Sequence, residues 1–200
     1  MDQHVWDERY AGAELVWTAE ANRFLVAEAA DLEPGRAVDL AAGECRNAVW
    51  LAERGWEVDA VDFSRVALEK GARLAEHRGV AARVRPTVAD LTTWSAPGAF
   101  DLVLVAYLHL PEAARRTVFT AAAEAVAPGG TLLVIGHDLA NLDRGFGGPQ
   151  DPAVLTTADA LVPLLGGLEV VRAGPVERPV ATPEGERIAI DHVLRAVRSA

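Results

Sequence analysis

Residues 37–64 read AVDLAAGECRNAVWLAERGWEVDAVDFS, and this stretch constrains the chain more than any other. An apolar, β-branched run ends around Asp39, a loop of small residues centred on Gly43 follows, and then comes a segment with helical period. A second apolar run closes the unit at Asp62. Strand, tight turn, helix and parallel strand is the order that these periods predict. Two neighbouring parallel strands joined through a helix demand a right-handed crossover, and so an α/β sheet.

The alternation continues. Expected strands are 37–42, 56–62, 82–90, 100–108 and 131–138, and expected helices are 47–54, 65–78 and 111–126. Pro86 marks the third strand as an edge or an irregular one. The run FDLVLVAYL is apolar throughout, as in a strand buried on both faces. Pro128-Gly129-Gly130 is read as the stop of the preceding helix. Residues 1–30 read as a helical cap, with Leu15, Phe24, Leu25 and Ala29 forming its apolar stripe, and Pro34-Gly35 break the chain before the first strand. Residues 141–152 form a Gly/Pro/Asp loop that can lie over a site, 156–165 a short helix, and 168–179 with 187–198 a closing antiparallel hairpin. The expected architecture is a Rossmann-like, doubly wound, seven-stranded sheet, mostly parallel, in one domain over 1–200, with the cap at 1–30 and the sheet core at 36–200.

Bulk properties exclude several classes. The net charge is −10 and the pI near 4.9, and Lys70 is the only lysine, so the clustered cations that phosphate backbones require are missing. Nucleic acid is not an expected partner. A lone cysteine, Cys45, precludes an internal disulfide framework. No apolar stretch approaches the roughly 18 residues of a membrane span, and the polar start MDQHVWDERY is unlike a secretory signal. A cytoplasmic location, no membrane, and a monomer or homodimer are expected. No His/Cys cluster has metal-ligand spacing, so no metal is expected.

Ligands of such sheets bind beyond the carboxyl ends of the strands. Four of the five predicted tips there carry an acid: Asp39, Asp62, Asp90 and Asp138. Gly43 lets the first loop approach a ligand closely. The following helix, starting at Arg46-Asn47, offers free N–H groups and a positive dipole end to a carboxylate or phosphate. Asp62 can accept both hydroxyl protons of a ribose diol. Phe63 offers a face to adenine, while Ser64 is the better helix cap and closes the same candidate set. Asp90 can accept from the exocyclic amine of adenine, and the Leu91 N–H can donate to a ring nitrogen. His137 is the candidate acceptor-side group, able to take a proton or orient an acceptor. Arg144 is the candidate anchor for an anionic substrate. His109 and Trp94 read as packing or surface residues, and Cys45 as a small packing residue.

VDLAAGECRNAVWLAERGWEVDAVDFS, with WDERY before it and HDLANLDRGFGGPQDP after the fifth strand, resembles the class I S-adenosyl-L-methionine (SAM)-dependent methyltransferases. The similarity is greatest to the small-molecule branch that includes the tellurite-resistance and thiopurine methyltransferases. The family's first motif places an acid before three alternate glycines; here Asp39 keeps the acid, and Ala41, Gly43 and Cys45 fill the glycine places. The resemblance implies that Asp39 and the Ala41–Gly43 backbone hold the methionine end of SAM, and that Ala106 and Tyr107 lie beside the sulfonium. It also implies that Trp6 and Tyr10 pack an N-terminal helix over the cofactor, and that Asn47, Asp62, Phe63, Ser64, Asp90 and Leu91 complete the set. Methyl transfer to a small-molecule acceptor, with S-adenosyl-L-homocysteine (SAH) as product, is the implied reaction. The alternatives are an NAD(P)-binding oxidoreductase, whose GxGxxG glycines are missing here, and a non-catalytic SAM-binding module.

Overall fold

The structure is a computed structural model that describes residues 3–12 and 14–200. Seven strands form one sheet in the order β3-β2-β1-β4-β5-β7-β6. They are β1 (Arg36–Leu40), β2 (Glu57–Asp62), β3 (Val84–Val88), β4 (Phe100–Ala106), β5 (Val126–His137), β6 (Glu169–Thr182) and β7 (Gly185–Val197). The pairs β1–β2, β1–β4, β2–β3 and β4–β5 are parallel; β5–β7 and β6–β7 are antiparallel. The helices are α1 (Gln3–Tyr10), α2 (Arg23–Glu28), α3 (Arg46–Glu53), α4 (Arg65–His77), α5 (Glu112–Glu124), α6 (Asn141–Arg144) and α7 (Ala158–Leu161). The expected fold class is the observed one, with Pro86 on the edge strand β3.

Each face of the sheet has its own apolar core. One gathers Val38, Val103, Val105, Phe119 and Leu161; the other gathers Leu51, Trp56, Leu68, Leu102 and Leu104. Odd and even residues of β4 thus feed opposite layers, which is why its sequence shows no alternation. Each such buried side chain contributes about 1.5–3 kcal/mol relative to exposure. Helix α4 starts at Ser64, whose hydroxyl accepts from the Ala67 N–H at 3.1 Å.

Three expectations need correction. Residues 11–12 and 14–22 are not helical: the N–H groups of Val16 and Trp17 turn instead to the Glu44 carboxylate, and Asn22 starts α2 afresh by capping Phe24 and Leu25. Pro128–Gly130 does not end the helix; α5 stops at Glu124, and the tripeptide lies within β5, at a register shift against β4 between Phe100 and Leu102. Residues 156–165 split into α7 and a short 3-10 turn at Val162–Leu164. No helix among the described residues is long and apolar enough to cross a membrane.

Candidate active site

The loop after β1 alternates into left-handed backbone: Ala41, Gly43 and Cys45 have φ of 64°, 54° and 60°. The family's glycine positions are therefore the ones whose geometry favours glycine, and Ala41 and Cys45 hold it despite their Cβ atoms. The turn is locked from β2. Asp62 Oδ2 accepts the Gly43 N–H at 2.8 Å, and Oδ1 accepts the Ser64 N–H at 2.8 Å. Burial raises the Asp62 pKa although these N–H groups oppose the shift. Close approach at Gly43 is real, because a Cβ there would lie 3.0 Å from the Tyr10 hydroxyl oxygen.

A cavity of about 1070 Å³ opens over these strand tips. On the β1–β2–β3 side it is lined by Ala41, Gly43, Asn47, Asp62, Phe63, Asp90 and Leu91. Trp6 and Tyr10, stacked at 5.5 Å, line it from α1. Asn47 also accepts the Asn22 N–H at 2.9 Å, tying α3 to α2. Asp90 Oδ1 accepts from the N–H and hydroxyl of Thr92, and these bonds hold its carboxyl below the usual range. On the β4–β5 side the lining is Ala106, Tyr107, His109, His137 and, from β6, Arg178.

Three expected site residues do not line the cavity: Asp39, Ser64 and Arg144. Ser64 is spent on capping α4 and on donating to Asp7 Oδ1 at 2.5 Å. Arg144 is exposed on α6. Asp39 lies behind the loop, fully buried, without an ion-pair partner among the described residues; the Arg46 charge and the Ala48 N–H only partly offset its burial. Burial, and then the charge of Asp62, push its pKa up to about 7. Trp94 packs against the core as expected, whereas His109 lines the cavity and stacks on His137 at 5.3 Å. Burial, and then His137, hold His109 down at about 4.

Sequence reasoning missed Asp191, which has no exposed surface. The β5–β7 register sets it opposite His137. Its Oδ1 lies 2.9 Å from His137 Nδ1, and its Oδ2 accepts from the Tyr107 hydroxyl at 2.6 Å and from Arg178 Nε at 2.6 Å. Burial works against its ionisation, but the hydrogen bonds from His137, Arg178 and Tyr107 outweigh it and hold the carboxyl below the usual range. An acid and a histidine inside the apolar run IAIDHVL were the available signal. Arg46 was noted only as the helix start. Its guanidinium lines the cavity, donates to Thr18 Oγ1 and the Glu20 carbonyl at 3.4 Å, and has no ion-pair partner among the described residues.

These features suit an adenosyl sulfonium amino acid. A buried carboxylate without an ion pair matches an ammonium, an arginine without an ion pair matches a carboxylate, and acids at the β2 and β3 tips match ribose and adenine. Among the described residues no group of three or more His, Cys, Asp or Glu is arranged to hold a metal ion.

Such a sheet, with its closing hairpin and its tip cavity, has the fold that the resemblance to class I methyltransferases implies. Residues 37–130 match the model of a family described as a methyltransferase domain. Among solved structures, N-methyltransferase NodS from Bradyrhizobium japonicum WM9, in complex with SAH, superimposes with a TM-score of 0.74 at 14% identity, over 99% of this chain and 98% of that one. TehB from Haemophilus influenzae gives 0.71 at 14%, over 98% and 67%. A structure from work on the conversion of a disulfide bond into a thioacetal group during echinomycin biosynthesis gives 0.75 at 21%, over 98% and 91%. No curated protein sequence matches the chain. The matches lend no support to an NAD(P)-dependent oxidoreductase or a non-catalytic module.

Proposed function

We propose that residues 1–200 act as one catalytic unit that methylates a small molecule in the cytoplasm, as a monomer or homodimer, with SAM as methyl donor. The carrying observation is the single cavity that runs from Asp62 and Asp90 to His137 across the strand tips. When bound, SAM supplies a methyl group already activated by positive sulfur. Asp62 accepts from the ribose hydroxyls with the lone pairs that Gly43 and Ser64 leave free. Phe63 faces the adenine, and Asp90 with the Leu91 N–H reads its edge. Arg46 and the N-terminus of α3, with Asn47, take the carboxylate, while Asp39 offsets the ammonium from behind Ala41 and Gly43. Trp6 and Tyr10 exclude water from above. Ala106 and Tyr107 border the reacting centre, and an aromatic face there favours a cation. His137 orients the acceptor or takes its proton. Alignment of this kind supplies much of the rate in an in-line displacement.

Titration calorimetry with SAH, followed by a labelled-methyl screen over phenols, thiols, tellurite and selenite, tests the reading. Binding of SAH and turnover of one acceptor are expected. In His137→Ala, turnover falls by about 10²-fold or more while SAH affinity holds. Binding of NADH in place of SAH would defeat the proposal.

A further inference from the structure

The acids of the cavity lining lie in one half, where Arg9, Arg23 and Arg46 accompany them. These acids, Glu44, Asp62 and Asp90, belong to the β1–β3 side. Glu44 is already bound to Lys70 and to the N–H groups of Val16 and Trp17. The acceptor side presents Arg178, Tyr107, His109 and His137, with no acid in its lining among the described residues, and its walls include Leu108, Leu110, Phe146 and Val180. Asp191 is beneath that surface, covered by Tyr107, His137 and Arg178.

An ionised Asp191 fixes the tautomer of His137. Nδ1 must carry the proton, because it faces a carboxylate oxygen at 2.9 Å; Nε2 then keeps its lone pair. That edge of the ring is kept clear. Gly148 has φ of +74°, and a Cβ there would lie 2.9 Å from His137 Cδ2 and 3.0 Å from Nε2. The other cavity histidine does not compete: burial keeps His109 uncharged near neutral pH. The acceptor side is thus built to receive a proton and to meet a developing negative charge.

Resting on the methyltransferase reading, we propose that His137 and Asp191 form a proton-accepting pair, with Asp191 the positioning residue, and that the acceptor is a hydroxyl on an apolar ring. A thiol is partly ionised near neutral pH and gains little from a base, whereas a phenol, with its pKa near 10, gains much. An ammonium finds no carboxylate on the acceptor wall and meets the Arg178 cation instead. In the step itself, the hydroxyl proton passes to His137 Nε2. The oxygen electron pair forms the O–C bond to the methyl carbon as the S–C bond breaks, and that bonding pair remains on sulfur. Asp191 holds the imidazolium until its proton leaves to solvent. Arg178 is held by Asp191 through Nε and Nη2, and its remaining N–H groups face the oxygen while it carries charge.

Ring-matched probes test this: 2-naphthol, 2-naphthalenethiol and 2-naphthylamine, each with labelled SAM. Enzyme-dependent transfer is expected to favour the naphthol. Asp191→Asn lowers kcat for it by about 10²-fold or more, with KM and SAH affinity within about threefold. Nitrogen-15 NMR of the histidine rings gives a readout that needs no acceptor. His137 carries its proton on Nδ1 in the native protein and on Nε2 in Asp191→Asn, where the Tyr107 and Arg178 donors keep the amide carbonyl on their side and turn the N–H₂ to Nδ1. A proton on Nε2 in the native protein, or transfer to the thiol or amine but not the naphthol, overturns the proposal. Failure of SAH to bind speaks against the methyltransferase reading instead. Should Asp191→Asn not fold, His137→Gln serves, with the same kcat loss expected and an unchanged kcat overturning the pair.

Discussion

Cys45 shows how one residue departs from a glycine position and stays folded. Its φ of 60° strains an L-residue, and its thiol is fully buried. Burial, and then the charge of Asp39, push its pKa far up, so it is an inert packing group and no nucleophile. The space that it occupies comes from Gly71 in the middle of α4. A Cβ at 71 would lie 2.3 Å from Cys45 Sγ and 2.6 Å from its Cβ. Glycine inside a helix costs about 1 kcal/mol relative to alanine, so Gly71 answers Cys45 and not its own helix. Gly71→Ala alone is expected to lower the thermal midpoint by roughly 5–10 °C, from about 2–3 kcal/mol of overpacking. Cys45→Gly with Gly71→Ala recovers most of that loss, because the two nearest atoms are gone, only the Glu44 backbone carbon at 3.2 Å stays close, and α4 gains an alanine. Additive losses in the four-variant thermal cycle would break the link between the two positions.

At the scale of elements, the parts that sequence left illegible are those joined over distance. Strand and helix periods are local, so β1 to β5 and α3 to α5 were readable from 37 onward. The Asp62 and Asp90 tips followed, since a strand end is a local landmark. Arg144 was assigned by its nearness in sequence to His137, but α6 turns it outward, and Arg178 and Asp191 arrive from the hairpin through the β5–β7–β6 register. Residues 11–22 suit a helical stripe, yet the backbone groups of Glu14, Val16 and Trp17 find their partners on other elements. Glu44 receives Val16 at 2.9 Å and Trp17 at 3.2 Å, while Lys70 Nζ donates to the Glu14 carbonyl at 2.6 Å and pairs with Glu44 at 3.2 Å. Arg9 lies between Trp6 and Trp17, 5.0 Å and 4.9 Å from their rings. The buried Lys70–Glu44 pair therefore fastens the segment that carries the cofactor-covering aromatics. Removing one member of a buried pair costs more than the pair itself contributes. Lys70→Met is expected to speed tryptic cleavage at Arg9 and to weaken SAH binding about tenfold, some 1.4 kcal/mol. Native cleavage rates with native SAH affinity would show that the fastening does not depend on this pair.

Across the whole molecule, the sheet sets opposing titrations against each other. Asp39 sits within the buried run of β1, opposite Ala60 and Leu104, with no cation in register. Its folded pKa is about 7 against an ordinary 3.8, so folding takes up a proton between these values. Stability from this group is present at low pH and lost as pH rises through about 4 to 7. His109 and His192 do the reverse. Burial holds both near 4 against an ordinary 6.5, so the folded chain refuses protons that the unfolded chain accepts, and stability is lost as pH falls through that window. The contributions partly cancel and flatten the dependence of stability on pH. Asp39→Asn removes only the acidic contribution. The ligand-free variant should match the native protein near pH 4, gain on it steadily to pH 7, and stay ahead at pH 8 by up to roughly 4 kcal/mol, at about 1.4 kcal/mol per pKa unit. The same substitution removes the charge that would offset the cofactor's ammonium, so SAH binds the more stable variant less tightly. Urea midpoints at pH 4, 6 and 8 with SAH titrations at pH 8 check both halves. Equal stability of the two proteins at pH 8 would mean that Asp39 finds its compensation within the ligand-free fold, and the ammonium would need another partner.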